Sequence, residues 1–206
     1  MFIDYEKIEA DIKKADEELE KVRQERVARG LPPDPPEPFV PVAHAILLCE
    51  RVEPVFRFLV KYAKLTMDSN QLIPFDVSQF DKYQRDLILL RHSKGFITGF
   101  WGAGLIQCID LIKRVTEAIN KGEIEAFDPL LVAKFIYEWI EIMGRKVPVI
   151  DTSSELKLSL DIDYKAEDRE REETRAELER LRTDEAAFAA EVEEYWRYYE
   201  SIKHLF

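Results

Sequence analysis

The apolar run from Gly95 to Ile112, GFITGFWGAGLIQCIDLI, constrains the fold of this chain more than any other stretch. Asp110 is its only charged residue, and basic residues lie on both sides of it. A helix that is apolar nearly all round is either buried at the centre of a bundle or embedded in lipid. A bilayer span needs about 20 predominantly apolar residues, and this run is shorter and more polar than that. We therefore predict a buried central helix, with a membrane anchor at residues 95–112 as the alternative.

Small residues give this predicted helix a smooth stripe. Gly95, Gly99 and Ala103 follow one another at intervals of four residues, so they share one helix face. Because such a stripe lets another backbone approach closely, we predict that helix packing occurs at these three positions.

Charge limits the partners that the chain can have. Charged residues make up 34% of the sequence, with a formal net charge of −11, and the excess is concentrated at the two ends. An acidic chain without a basic patch is poorly suited to nucleic acid, so we expect other protein subunits as partners. The N-terminus has no apolar signal sequence. We therefore expect an intracellular protein that is not secreted, in the cytoplasm or an organelle interior such as the mitochondrion.

The N-terminal segment, residues 1–30, has the spacing of a coiled coil. Apolar residues recur at alternating intervals of three and four, which is an a/d heptad seam. Its members are Tyr5, Ile8, Ile12, Ala15, Leu19 and Val22. We predict a helical arm that binds a partner through Ile8, Ile12, Leu19 and Val22 and is joined to the rest by a proline-rich linker at residues 31–41. The alternative is an ordinary amphipathic helix packed on the chain's own core.

Residues 42–144 have the pattern of a helical core. We predict helices at 42–65, 77–90, 95–120 and 129–143 from the spacing of apolar residues and from start signals such as Asp128–Pro129. In the second of these helices Asp86 is expected to face outward. In the last, Leu131, Phe135, Trp139 and Ile142 are expected to face inward.

The C-terminal third combines two patterns. Strict alternation at residues 156–164 predicts a β-hairpin within residues 145–164, near 147–164, that could also accept a strand from another chain. Residues 165–206 are predicted to form one long helix. Its second half carries a dense apolar and aromatic seam, which predicts a partner-binding surface or, alternatively, packing on the N-terminal arm. The predicted contact residues are Phe188, Val192, Tyr195, Trp196, Tyr199 and Ile202.

The sequence contains none of the phosphate-loop, nucleophile-elbow or zinc motifs that indicate particular chemistry. His44, His92 and His204 are scattered singly, and His44 is interpreted as a satisfied polar group rather than a ligand. We predict no catalytic, cofactor-binding or metal-binding residues. The sequence thus favours a mainly α protein, a helical bundle with long terminal coiled-coil-like helices, acting as a non-enzymatic accessory subunit or scaffold of a larger assembly. The alternatives are a helical carrier of lipid or another apolar ligand, with its pocket beside residues 95–112, and a single-span membrane subunit of an organellar complex.

Overall fold

The computed structural model describes residues 5–145 and 164–206, with side chains described for residues 12–95, 97–141 and 169–206. The fold is mainly helical, as predicted. The α-helices of the described residues are α1 Tyr5–Ala28, α2 Val42–Ser69, α3 Gln84–Arg91, α4 Phe96–Lys121, α5 Pro129–Arg145, α6 Tyr164–Thr183 and α7 Glu185–Ile202. Short 3-10 segments occur at Val77–Tyr83, Ile124–Ala126 and Lys203–Leu205.

No β-strand occurs among the described residues, where one isolated parallel bridge joins Val40 to Ser93. The hairpin predicted near residues 147–164 lies outside the described residues except for Tyr164, which begins α6. None of the described helices is both long and apolar enough to cross a bilayer.

The chain divides into two compact units. The first comprises Met1–Glu37 and Arg197–Phe206, and the second comprises Pro38–Trp196. In the second unit α2 packs against α3, α4, α5 and α6. The predicted central run lies in α4, where the side chains of Trp101, Leu105, Cys108 and Ile112 are buried in the core.

The closest backbone approach to α4 occurs at Gly102, which is not one of the three predicted positions. A Cβ on Gly102 would lie 2.4 Å from the Arg91 amide nitrogen, and one on Gly104 would lie 2.5 Å from Cε3 of Trp139. At Gly99 the nearest atom would be the Ser93 carbonyl oxygen at 3.4 Å, which is an ordinary contact. Close approach of α3 to α4 therefore depends chiefly on Gly102, which shares a face with Gly99.

Two expectations about side-chain direction are wrong. Asp86 is only 4% exposed, because Arg51 on α2 covers it and binds its carboxylate at 3.1 Å. On α5, Leu131 and Phe135 are 66% and 37% exposed, whereas Trp139 packs against Gly104 of α4 as expected. The side chain of Ile142 lies outside the described side chains. The face of α5 that is buried carries Val132, Ala133 and Ile136. These smaller side chains let α2 approach α5 closely. The sequence pattern does not reveal this, because the larger apolar residues lie on the outer face.

The single C-terminal helix predicted for residues 165–206 is also wrong, because the chain breaks at Asp184. The Asp184 side chain accepts a hydrogen bond from the amide of Ala187 at 2.9 Å, which caps the start of α7. Thr183 turns its hydroxyl back to the carbonyl oxygens of Glu179 and Arg180 at the end of α6. The N-cap residue Asp184 therefore marks the boundary between two helices, although the polar helix pattern continues across it.

Candidate functional site

An uncovered apolar stripe runs along α1. Ile12, Leu19 and Val22 are 56%, 49% and 51% exposed, and Ala15 between them is exposed as well. We call these four residues the α1 seam. Most of the other positions in residues 12–28 carry charged side chains, so this part of the helix has one narrow apolar edge on a mainly charged surface. The side chain of Ile8, which was predicted to belong to the same seam, lies outside the described side chains.

Polar contacts hold the C-terminal end of α1. Gly30, with φ +74°, turns the chain at the helix end. Arg23 Nε then donates to Oδ1 of Asp34 at 2.7 Å, and Arg26 Nε donates to the Pro32 carbonyl oxygen at 2.9 Å. The proline-rich linker is thereby folded back on the last turns of α1. These contacts involve side chains beyond the α1 seam and leave the seam uncovered.

The C-terminal aromatic seam divides between the two units. In the second unit Phe188 and Val192 are buried, and Tyr195 places its ring edge-on to His44 with the centroids 5.1 Å apart. Trp196 packs under the Arg85 guanidinium at 5.6 Å. These residues contribute to the chain's own core.

The remaining two predicted contact residues, Tyr199 and Ile202, lie in the first unit and are half-buried. The Tyr199 ring stacks with Phe206 at a centroid distance of 6.3 Å. Of the predicted partner-binding residues with described side chains, those of α1 are the most exposed.

A buried histidine joins three helices of the second unit. His44 on α2 is 2% exposed, and its Nε2 lies 2.7 Å from Oε2 of Glu191 on α7. Because an ionised carboxylate only accepts hydrogen bonds, Nε2 carries the proton. The other ring nitrogen, Nδ1, is buried and has no hydrogen-bond partner among the described atoms. His44 is therefore held through a single polar contact.

Arg180 on α6 completes this cluster. Its Nη2 lies 2.7 Å from Oε1 of Glu177 and 2.6 Å from Oε1 of Glu191. Burial acts to raise the pKa of Glu191, but hydrogen bonds from Arg180 and His44 outweigh it and lower that pKa below 4.5. The hydrogen bond from Arg180 likewise lowers the pKa of Glu177. Both carboxylates are thus held in their charged form.

The cluster contains enough donors to suggest a metal ion, but its charge argues otherwise. His44, Glu177 and Glu191 offer ligand atoms that all lie within 4.8 Å of one another. Imidazole and carboxylate groups are ordinary zinc ligands. Arg180, however, donates hydrogen bonds to both carboxylates, so its positive charge already lies beside the atoms that would hold a metal ion. The arrangement is that of an ion-pair network that joins α6 and α7 to α2.

The two cysteines are poor nucleophiles. Burial raises the pKa of Cys49 and of Cys108 to about 12, with the charge of Glu50 adding to the effect at Cys49. Both therefore remain neutral thiols near pH 7, whereas the thiolate is the reactive form.

A groove lies between α4 and α5, with a cavity volume of about 480 Å³. Its apolar lining includes Leu111, Phe127, Leu131 and Phe135, and Arg114 lies over the Phe127 ring at 5.9 Å. Polar side chains at its rim are Gln107, Asp110 and Asp128. The groove thus flanks the second half of α4, near the place where the sequence predicted a ligand pocket.

Sequence reasoning did not identify the residues that line this groove or the His44 cluster, because both are formed by side chains distant in sequence. Comparison of the chain with protein-family models, with curated proteins and with solved structures gave no match.

Proposed function

We propose that this protein is a non-enzymatic accessory subunit or scaffold that binds another protein of its assembly through the α1 seam. The observation that carries the proposal is the heptad-spaced apolar stripe of Ile12, Leu19 and Val22, about half of whose side-chain surface is exposed to water. Burying apolar surface contributes about 25 cal/mol per Å². A matching helix would cover these residues together, as in a two-stranded coiled coil.

The rest of the described structure is consistent with a scaffold. The second unit has its own helical core, and the ion pairs of Arg180 hold the His44 cluster together. The linker contacts of Arg23 and Arg26 fix the end of α1 in the first unit. A helix fixed at one end, with its apolar edge in water, suits a subunit that recruits a neighbour.

The proposal is tested with the double variant Leu19→Asp/Val22→Asp. Leu65→Asp on α2 is the matched control, since Leu65 is also an exposed leucine on a helix, 56% exposed. We expect all three proteins to have the same helical circular dichroism and to melt within a few degrees of one another. Proteins isolated from native extract with the wild type and the control should be lost with the double variant. Each captured protein, once purified, should bind the wild type and not the double variant.

Two results would contradict the proposal. A wild-type protein that is a folded monomer by light scattering and isolates no partner would count strongly against the proposal. So would a double variant that retains every partner of the wild type.

A second candidate function is that of a carrier for a lipid or another apolar ligand, favoured by the α4–α5 groove. Its apolar lining and polar rim are typical of small-ligand sites. Leu131→Arg would place a charge in the groove, whereas Leu130→Arg changes an exposed neighbour, 51% exposed, that does not line it. A fluorescent fatty-acid probe should bind the wild type and Leu130→Arg and fail to bind Leu131→Arg. Equal binding by all three would exclude the groove as the site.

A further inference from the structure

We infer that the α1 seam accepts a helix whose own apolar seam is flanked by lysine and arginine. The inference rests on the proposed function and specifies the chemistry of the partner. It follows from the charges beside the seam.

Heptad positions identify the residues that would flank a partner helix. With Ile12 and Leu19 at position a and Ala15 and Val22 at position d, the flanking positions are e and g. Within residues 12–28, where the side chains of α1 are described, Asp16 and Arg23 occupy e, and Glu18 and Glu25 occupy g. The flanks therefore carry three acids and one base.

The single basic residue of the flanks, Arg23, already has a partner within the chain. Arg23 forms a 2.7 Å ion pair with Asp34 of the linker, so its charge is balanced within the chain. The acids of the flanks are exposed. Glu18 approaches Lys14 only at 4.0 Å, in a pair with both side chains well exposed, and such pairs contribute little. The edge of the seam is thus acidic.

The lysines of α1 lie away from the seam. Lys13 occupies position b, and Lys14 and Lys21 occupy position c, on the outer side of the helix. Over residues 12–28 the helix carries equal numbers of acidic and basic residues, so its acidic flank reflects where the charges lie rather than their total. A partner would meet this flank at close range.

A second copy of the chain fits this surface poorly. In an antiparallel pair the g positions face each other and would oppose Glu18 and Glu25 with the same residues. In a parallel pair Glu18 would face Arg23 of the other copy, but that arginine is bound to Asp34. Each copy also carries a net charge of −11. A helix with basic e and g positions instead meets each acidic flank with an opposite charge.

The test uses the full chain and two synthetic helical peptides of identical composition. Both have leucine and isoleucine at a and d. One has lysine at e and g and glutamate at b and c, and the other has these charges exchanged. We expect fluorescence anisotropy to show the lysine-flanked peptide binding at least about tenfold more tightly at low salt. The difference should shrink at about 500 mM salt, where the Debye length is a few ångströms.

Two variants make the result specific. Asp16→Lys/Glu18→Lys/Glu25→Lys should reverse the preference between the peptides, and Leu19→Asp should abolish the binding of both. Two results would overturn the inference and leave the proposed function standing. In the first, the two peptides bind with equal affinity and Leu19→Asp abolishes the binding of both. In the second, the charge reversal leaves the preference between the peptides unchanged. Binding of neither peptide, or binding insensitive to Leu19→Asp, would also overturn it, and the isolation experiment would then decide the proposed function separately.

Discussion

At the level of single residues, Gly102 sets the distance between α3 and α4. A Cβ there would lie 2.4 Å from the Arg91 amide nitrogen and 2.7 Å from the Leu90 carbonyl carbon, both of them backbone atoms. We expect Gly102→Ala to lower the free energy of unfolding by about 1–3 kcal/mol, because the helices must move apart. Urea denaturation measures this change.

Gly99→Ala is the matched control on the same helix. Its Cβ would make an ordinary contact with the Ser93 carbonyl oxygen at 3.4 Å. Alanine also favours a helix over glycine by about 1 kcal/mol. We expect this variant to be neutral or slightly stabilising, and equal losses in the two variants would contradict the assignment of the close approach to Gly102.

Glu191 links the stability of the second unit to pH. Its pKa in the folded chain lies below 4.5, so the stability that its charge contributes is present above pH 4.5 and is lost as the pH falls through the lower folded value. Glu191→Gln removes one of the two carboxylate charges that Arg180 binds. We expect it to lower the free energy of unfolding by about 1–2 kcal/mol at pH 7. The gap from the wild type should close at acidic pH, as measured by denaturation at a series of pH values.

Glu194→Gln, an exposed change on the same helix, should stay within about 0.5 kcal/mol of the wild type throughout this pH series. A Glu191→Gln gap that is constant from pH 7 down to pH 3 would show that the charge of Glu191 does not contribute to folding.

At the level of elements, the break between α6 and α7 depends on a cap. Asp184→Ala removes the acceptor of the Ala187 amide and should cost about 1 kcal/mol. Asp184→Asn keeps an oxygen acceptor and should cost clearly less. Thermal unfolding followed by circular dichroism compares the two variants. If asparagine costs as much as alanine, the side-chain cap is not what stabilises the start of α7.

At the level of the whole molecule, the helices should differ in local stability. Residues 12–22 of α1 have exposed side chains, whereas α2 contributes many of the fully buried side chains of the second unit. Most of the stability of a helix in a protein comes from packing of its apolar face rather than from intrinsic propensity. In hydrogen exchange of the dilute, intact chain we expect the amides of residues 12–22 to exchange far faster than those of α2. Equal protection in the two helices would contradict an uncovered α1 seam.

The sequence by itself determined the helical class, most helix positions and the apolar seam of α1. These features depend on local spacing, on caps such as Asp128 and on the absence of a second apolar face. Each of these can be recognised from residues close together in the sequence. Asp128 indeed accepts from the Leu130 amide at 2.8 Å at the start of α5. The membrane alternative for residues 95–112 also arose from local composition, which does not reveal what surrounds a helix.

Only the tertiary structure decided which face of α5 is buried, that Asp86 is enclosed, and that Gly102 rather than Gly95 or Ala103 sets the tightest packing on α4. It also decided that Phe188 and Val192 pack on the chain itself and that Arg180 pairs with both carboxylates beside His44. Each of these outcomes depends on a partner distant in sequence. Periodicity marks an apolar face, but the element that covers it is fixed by three-dimensional packing.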